Sequence, residues 1–451
     1  MSSMQTTLVR RTVAPANAGS GGAAPSTRPP HHVARRVASI VLPGILAGLA
    51  VLSGCGGGGD TGGTADQLGG GSDTGGGAIR EASGSAPLLQ KSDLVYVGSF
   101  RVPEGSSDTA TFEYGGHGLG LGAGGKSLWM AGHDWYQRSA EISIPQLVNS
   151  SNLSALNVAS LLQPFKDATE GKLNNIGTSD AKIGGHMVYN GKLYIGLYSF
   201  YDAGYSQNSS HLVRPTSLAT TGQVQGPFKL GDQSVIPRWL GGYMGTIPPE
   251  WQSQFGGPAL TGMGGVPIAS AASNGPTAAV FDPATVGVVS PAPATVVVGY
   301  PLEQSLNTQA GYSNSTNPMW NLSSEVRGVV FPEGTRSVLF FGRHGVGTYC
   351  YGEGAACGDP ADDSKGNHAY PYVYQVWAYD ANDLVAVKQG RKQPHQVLPY
   401  TTWTFTLPFQ SPGRWFGGAV WDPSTRRIYV SQKYGDGAAP VIHVFRVDRS
   451  G

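Results

Sequence analysis

The feature that most limits what this chain can fold into is a loose unit that recurs at least five times: a small-Gly start, a short apolar strand, a turn, and a second apolar strand ending in polar or aromatic residues. Its instances are "GGHGLGLGAGGKSLWMAGHDW" from Gly115, "GGHMVYNGKLYIGLYSFYD" from Gly184, "NGPTAAVFDPATVGVVSPAPATVVVGYP" from Asn274, "RGVVFPEGTRSVLFFGRHG" from Arg327 and "GGAVWDPSTRRIYVSQKYGDG" from Gly417. Each reads as a hairpin. The clearest turn is Asn190-Gly191, the pair favoured in tight two-residue loops. A third strand with period-two alternation follows several of them: "SAEISIP" at 139, "SHLVRP" at 210, "VYQVWAYD" at 373 and "VIHVFRVD" at 441. Edge-like fourth strands follow in "GPFKLG" and "TTWTFTLPF".

Four antiparallel strands repeated along a chain predict an all-β fold, a β-propeller of five or six blades. The last unit lacks a fourth strand, and the orphan "DLVYVGSFRVP" at 93–103 is expected to supply it and so close the ring. Residues 232–274 and 301–325 are the expected sixth blade or loop insertions, and the near-identical "RWLGG" at 238 and "RWFGG" at 414 mark blade starts. A β-sandwich would account for the hairpins, though not for the orphan strand or the recurring Gly-Gly. Composition agrees with many short strands and tight turns: 67 glycines, 10% aromatic and only 13% charged residues.

The repeats occupy residues 92–451. Ahead of them, Arg35 and Arg36 precede an apolar run that ends in Leu52-Ser53-Gly54-Cys55, the charged, apolar, small order of an export signal. That tetrapeptide resembles the lipobox of bacterial lipoproteins. The resemblance implies a signal peptide over 1–54, lipidation of Cys55, and, with Gly56 rather than an aspartate after the cysteine, an outer-membrane address. Residues 55–91 are glycine, serine, threonine and aspartate with few apolar residues, a flexible tether with a reach of roughly 35 Å. The membrane is then a partner through the lipid alone, and the domain is expected to be a monomer.

Removing 1–54 takes five arginines and no acids with it, so the formal charge falls from +1 to −4. That balance gives no footing for nucleic acid. The remaining cysteines, Cys350 and Cys357, bracket "YGEGAA", and in an exported chain they are expected to pair as a disulfide.

In a propeller the start of a blade's first strand and the end of its second lie on one face. The unusual side chains fall at these places. Strand starts carry His117, His186, Glu325 with Arg327, Arg238-Trp239 and Arg414-Trp415; second-strand ends carry His133, Asp134 and Trp135, then Tyr198, Tyr201 and Asp202, then Arg343 and His344, then Lys433, Tyr434 and Asp436. Loops on a rigid scaffold that gather histidine, arginine, tyrosine and carboxylate form a polar binding face. The expected catalytic set is His117, His133, His186, His344, Tyr198 and Asp134. The expected binding set is Trp135, Tyr201, Glu325, Arg327, Arg343, Arg414 and Tyr434.

Arginine and His⁺ neutralising a sugar acid, with a His or Tyr base beside them, would make a polysaccharide lyase, and the mixture is similar to that of propeller lyases acting on uronate polymers. Two carboxylates across a glycosidic bond, from among Glu113, Glu325, Asp134 and Asp202, would make a glycoside hydrolase. Converging neutral histidines could hold a divalent metal. No Gly-x-Ser-x-Gly, phosphate-binding loop, His-Glu-x-x-His or heme-attachment motif is present. The expected function is recognition, with or without cleavage, of an extracellular carbohydrate polymer; the competing expectation is a non-catalytic binding or scaffold protein of the cell envelope.

Overall fold

The computed structural model describes residues 85–265, 268–306 and 318–448. The expected signal peptide, Cys55 and nearly all of the tether lie outside them, as do residues 307–317 of the segment 301–325.

The chain is all-β apart from two short α-helices, and the described residues form five four-stranded antiparallel sheets. Strand β1 (Leu94–Arg101) comes first in the chain. Blade one is β2 (His117–Leu121), β3 (Ser127–Ala131), β4 (Ser139–Ser143) and β5 (Leu161–Lys166). Blade two is β6 (Ala181–Tyr189), β7 (Lys192–Ser199), β8 (His211–Pro215) and β9 (Gln225–Phe228). Blade three is β10 (Tyr243–Thr246), β11 (Ala259–Gly262), β12 (Ala278–Phe281) and β13 (Ala294–Val298). In blade four, β14 (Glu325–Val330) and β15 (Ser337–Gly345) are followed by an inserted hairpin, β16 (Cys350–Glu353) and β17 (Lys365–His368), before β18 (Tyr372–Asp380) and β19 (Thr401–Phe405). Blade five is β20 (Phe416–Asp422), β21 (Arg427–Asp436) and β22 (Ala439–Val447), with β1 as its outer strand, Leu94 opposite Val447 and Arg101 opposite Val441. The innermost strands β2, β6, β10, β14 and β20 touch in cyclic order, and so make a ring.

The expectation of five or six blades resolves to five. Residues 232–274 are neither a sixth blade nor an insertion: they hold β10 and β11 of blade three, separated by helix α1 (Pro249–Phe255). The hairpin expected from Asn274 is therefore the third and fourth strands of its blade. Asn190 and Gly191, at φ 47° and 73°, turn β6 into β7 as expected.

The middle strands are nearly continuously apolar because both of their faces are covered. On β15, Val338 and Phe340 enter the cluster between blades three and four, whereas Leu339 and Phe341 enter the one between blades four and five. On β21, Ile428 and Val430 face blade four while Tyr429 faces blade one. Each gap between blades holds one such cluster. Leu89, upstream of the expected domain boundary, belongs to one of them.

The recurring glycines have a physical reason. Four inner strands are bulged near their starts, between His117 and Gly120, Ile183 and Gly185, Val326 and Gly328, and Phe416 and Gly418. A Cβ on Gly184 would lie 2.1 Å from the Gly241 carbonyl oxygen, and one on Gly417 2.0 Å from that of Gly116. Only glycine lets the inner strands approach this closely.

Candidate functional site

The turn after β3 carries His133, Asp134 and Trp135 to the mouth of the ring. Its backbone is pinned by His133 N–H donating to the Thr111 carbonyl at 2.9 Å and Gly132 N–H to that of Arg138 at 2.7 Å. Asp134 receives Lys182 Nζ from β6 at 3.0 Å and lies 3.9 Å from His117 Nε2. Gln137, at φ 50°, donates to the Asp134 carbonyl at 2.5 Å, while its own oxygen pairs with His117 Nε2 at 3.2 Å and accepts from Ile183 N–H at 2.7 Å. Burial acts to raise the Asp134 pKa, but His117, Lys433 and Lys182 outweigh it and bring it down to about 2. Burial lowers His117 to about 4 against the pull of Asp134, so the ring is neutral. At neutral pH this corner presents a carboxylate beside an uncharged imidazole.

The second cluster comes from blade four. Glu325 bridges two guanidiniums, Arg343 Nη2 at 3.0 Å and Arg327 Nη2 at 3.3 Å. Arg327 also donates to Tyr198 Oη at 3.0 Å. Arg343 lies between the Trp415 and Tyr372 rings, 3.2 and 4.5 Å from their centroids, and donates to the Gly413 carbonyl at 2.9 Å. Tyr372 in turn donates to Asp359, which also pairs with His368 Nδ1 at 2.9 Å. Against the effect of burial, Arg343 and then Arg327 hold the Glu325 carboxyl below its usual range. Both arginines are thus engaged within the protein.

The structure brings His117, His133, Asp134, Trp135, Tyr198, Glu325, Arg327 and Tyr434 to this region, but it takes other expected residues away. His186 is a buried strut: Nδ1 donates to the Gly118 carbonyl at 2.6 Å and Nε2 pairs with Ser139 Oγ at 2.7 Å. His344 is buried with Nδ1 on Ser324 Oγ at 2.8 Å and its ring edge-on to Trp377. Both were expected among the catalytic set by strand position; β6 is bulged just before His186, whereas His344 turns into the blade from the regular strand β15. Asp202 is spent on its own loop, accepting from Ser206 and Gln207 N–H at 2.7 and 3.0 Å. Arg414 donates to the Ser411 carbonyl. The guanidinium over the Trp415 indole is that of Arg343, and Arg238 stacks on Tyr205. Cys350 and Cys357 form the expected disulfide, at the inserted hairpin.

A cleft of about 570 Å³ opens at the mouth, lined by Asp108, Thr111, Glu113, Asp134, Lys433 and the aromatic side chains of Tyr114, His133, Trp135, Tyr136 and Tyr434. Trp135 is 84% exposed. Beyond the cleft residues Asp108, Thr111, Tyr114 and Tyr136, the polar contributors Lys182, Gln137 and Lys433 escaped the assigned set. Lys182 and Gln137 carried no local signal, since a lysine or glutamine beside a strand is ordinary. Lys433 sits beside Tyr434 at the expected strand end, and only its lack of a partner sets it apart. Among the described residues no group of three or more His, Cys, Asp or Glu is placed to hold a metal.

No protein family matches the chain, and no curated protein does. It is similar in fold to the GH43 endo-arabinanase from Bacillus licheniformis, at 11% identity over 76% of this chain and 95% of that one with a TM-score of 0.34. It is also similar to the native arabinanase of Bacillus subtilis, at 10% identity over 74% and 94% with a TM-score of 0.36. A luciferin-regenerating enzyme is similar at 9% identity over 81% and 96%, with a TM-score of 0.31. Likenesses at this level bear on neither activity nor substrate.

Proposed function

We propose that the chain recognises and hydrolyses an extracellular carbohydrate at the cleft over the ring. The observation that carries this reading is the placement of two carboxylates, Glu113 and Asp134, in one aromatic-walled cleft. Faces of Trp135, Tyr114 and Tyr136 offer flat apolar surface to sugar rings, and the carboxylates offer hydrogen-bond acceptors to hydroxyls. Hydrolysis needs one carboxylate that stays ionised and a second that delivers a proton. Asp134, held ionised by its cations, serves as base or nucleophile, and Glu113 as acid.

A lyase mechanism fits less well. It needs several free cations to neutralise a sugar carboxylate, and Arg327, Arg343 and Lys182 are already paired with Glu325 and Asp134, which leaves Lys433 alone for that role. Asp108 and Glu113 on the cleft wall would also repel a polyanion.

The test is incubation of the purified protein with neutral and acidic polysaccharides, following new reducing ends and the ultraviolet absorbance of unsaturated uronates. Reducing ends without that absorbance are expected. Asp134→Asn and Glu113→Gln should each lower turnover by about 100-fold or more while polymer binding persists. Absorbance would make the protein a lyase. No product from any polymer, with binding retained, would make it an envelope binding or scaffold protein.

The envelope address belongs to the same proposal and rests on the Leu52–Cys55 tetrapeptide. Fatty-acid labelling of the expressed precursor should be lost in Cys55→Ala, and labelling that survives would refute it.

A further inference from the structure

The Lys433 side chain lines the cleft, yet among the described residues no carboxylate lies within ion-pairing distance of its nitrogen and no side-chain hydrogen bond engages it. It lies over the Tyr434 ring, 5.7 Å from centroid to Nζ. The nearby carboxylates are engaged with other cations, Asp134 with Lys182 and Glu325 with Arg327 and Arg343.

We infer that Lys433 is a nucleophilic amine that condenses with the aldehyde of a small neutral hydroxy-aldehyde, such as an open-chain sugar, entering the cleft. Neutrality of the ligand follows from Asp108, Glu113 and Asp134 on the same wall, and the hydroxyls match its polar groups. The amine lone pair adds to the carbonyl carbon; the carbonyl oxygen takes a proton from solvent water and the nitrogen sheds one to solvent, giving a neutral carbinolamine. The carbinolamine hydroxyl then takes a second solvent proton and leaves as water, and the nitrogen lone pair forms the iminium.

The free amine is the reactive form. Burial favours it most; Asp134 and Glu325 oppose it, and Arg327 and Lys182 add to it, with the net effect of lowering the Lys433 pKa. His117 is neutral above about pH 4, and Tyr434 is pushed up by burial and so stays protonated; Asp108, Glu113, Tyr114, His133 and Tyr136 also line the cleft. Each unit of lowering raises the free-amine fraction at neutral pH about tenfold.

The experiment is brief labelling of the full chain at neutral pH with glyceraldehyde and cyanoborohydride, whose hydride reduces the iminium to a stable secondary amine, followed by peptide mapping. Lys433 should label measurably faster than the exposed Lys126. Lys433→Arg should remove that fast site alone. Lys182→Gln should slow it several-fold, because Asp134 then pairs with Lys433. Equal rates at Lys433 and Lys126, or a fast site that survives Lys433→Arg, overturn the inference. The inference requires no cleavage of a polymer: labelling without hydrolysis leaves it standing while the proposed function falls, and hydrolysis without selective labelling does the reverse.

Discussion

Four buried histidines should make this fold fail in mild acid. Burial brings His117 and His186 to about 4, and His211 and His443 to about 3, from an ordinary 6.5. The native state holds all four neutral, whereas the unfolded chain protonates them as pH falls through 6.5. Unfolding then takes up protons, so their contribution is fully present above pH 6.5 and is lost as pH drops towards the folded values. At pH 5 each histidine has lost about 2 kcal/mol relative to pH 7.5, or about 8 kcal/mol for the four. A domain's whole stability is about 5 to 15 kcal/mol. Asp134 and Glu325, whose pKa values are lowered, titrate below this window. Urea unfolding at steps from pH 7.5 to 5 measures the loss directly. His211 offers the internal control, because among the described residues its Nδ1 bonds only Ser210 Oγ and its Nε2 has no partner, and its ring packs on Phe281. His211→Leu should shrink the pH-dependent loss by about 2 kcal/mol. A total loss below about 2 kcal/mol, or one that His211→Leu leaves unchanged, would refute the reasoning.

Glu325→Gln should destabilise the protein by about 3 kcal/mol, since it strands two buried guanidiniums, and a urea midpoint would register it. Replacing both Cys350 and Cys357 with serine should loosen the inserted hairpin by about 2 kcal/mol, seen as faster hydrogen exchange over 350–368 while the five sheets keep their protection. Trp135→Ala should leave stability within about 0.5 kcal/mol. On the proposed reading it weakens polymer binding about fivefold, near 1 kcal/mol, measurable by calorimetry.

Much of the fold was legible because turn chemistry and strand periodicity agree locally. Asn190-Gly191 and the alternation in 139–145, 210–215, 373–380 and 441–448 each mark a strand or turn that the structure contains, to within a few residues at the ends. Blade three was misread because β10 and β11 are four residues each and a helix parts them, so neither carries a pattern long enough to stand out. The site was legible in location more than in membership. Strand ends told which residues approach the mouth, and so Asp134 and Trp135 were found. They could not tell which way a side chain turns after a bulge, and so His186 was counted in although its ring bonds Gly118 and Ser139. Nor could they show that Arg343 would be consumed by Glu325, because an ion pair between neighbouring strands leaves no trace in sequence spacing.

The sheet shared by β1 and β20–β22 makes completeness of the chain a condition of folding. Its outer strand is the first to be synthesised and its other three are the last. A polypeptide interrupted before residue 439 can still assemble four blades, but β1 then waits with an open hydrogen-bonding edge. The cluster that joins Phe100 to Ile442 and Val444 stays uncovered as well. Exposed edges of this kind recruit other strands, so a truncated chain is marked for aggregation or proteolysis by the very strand that was made first.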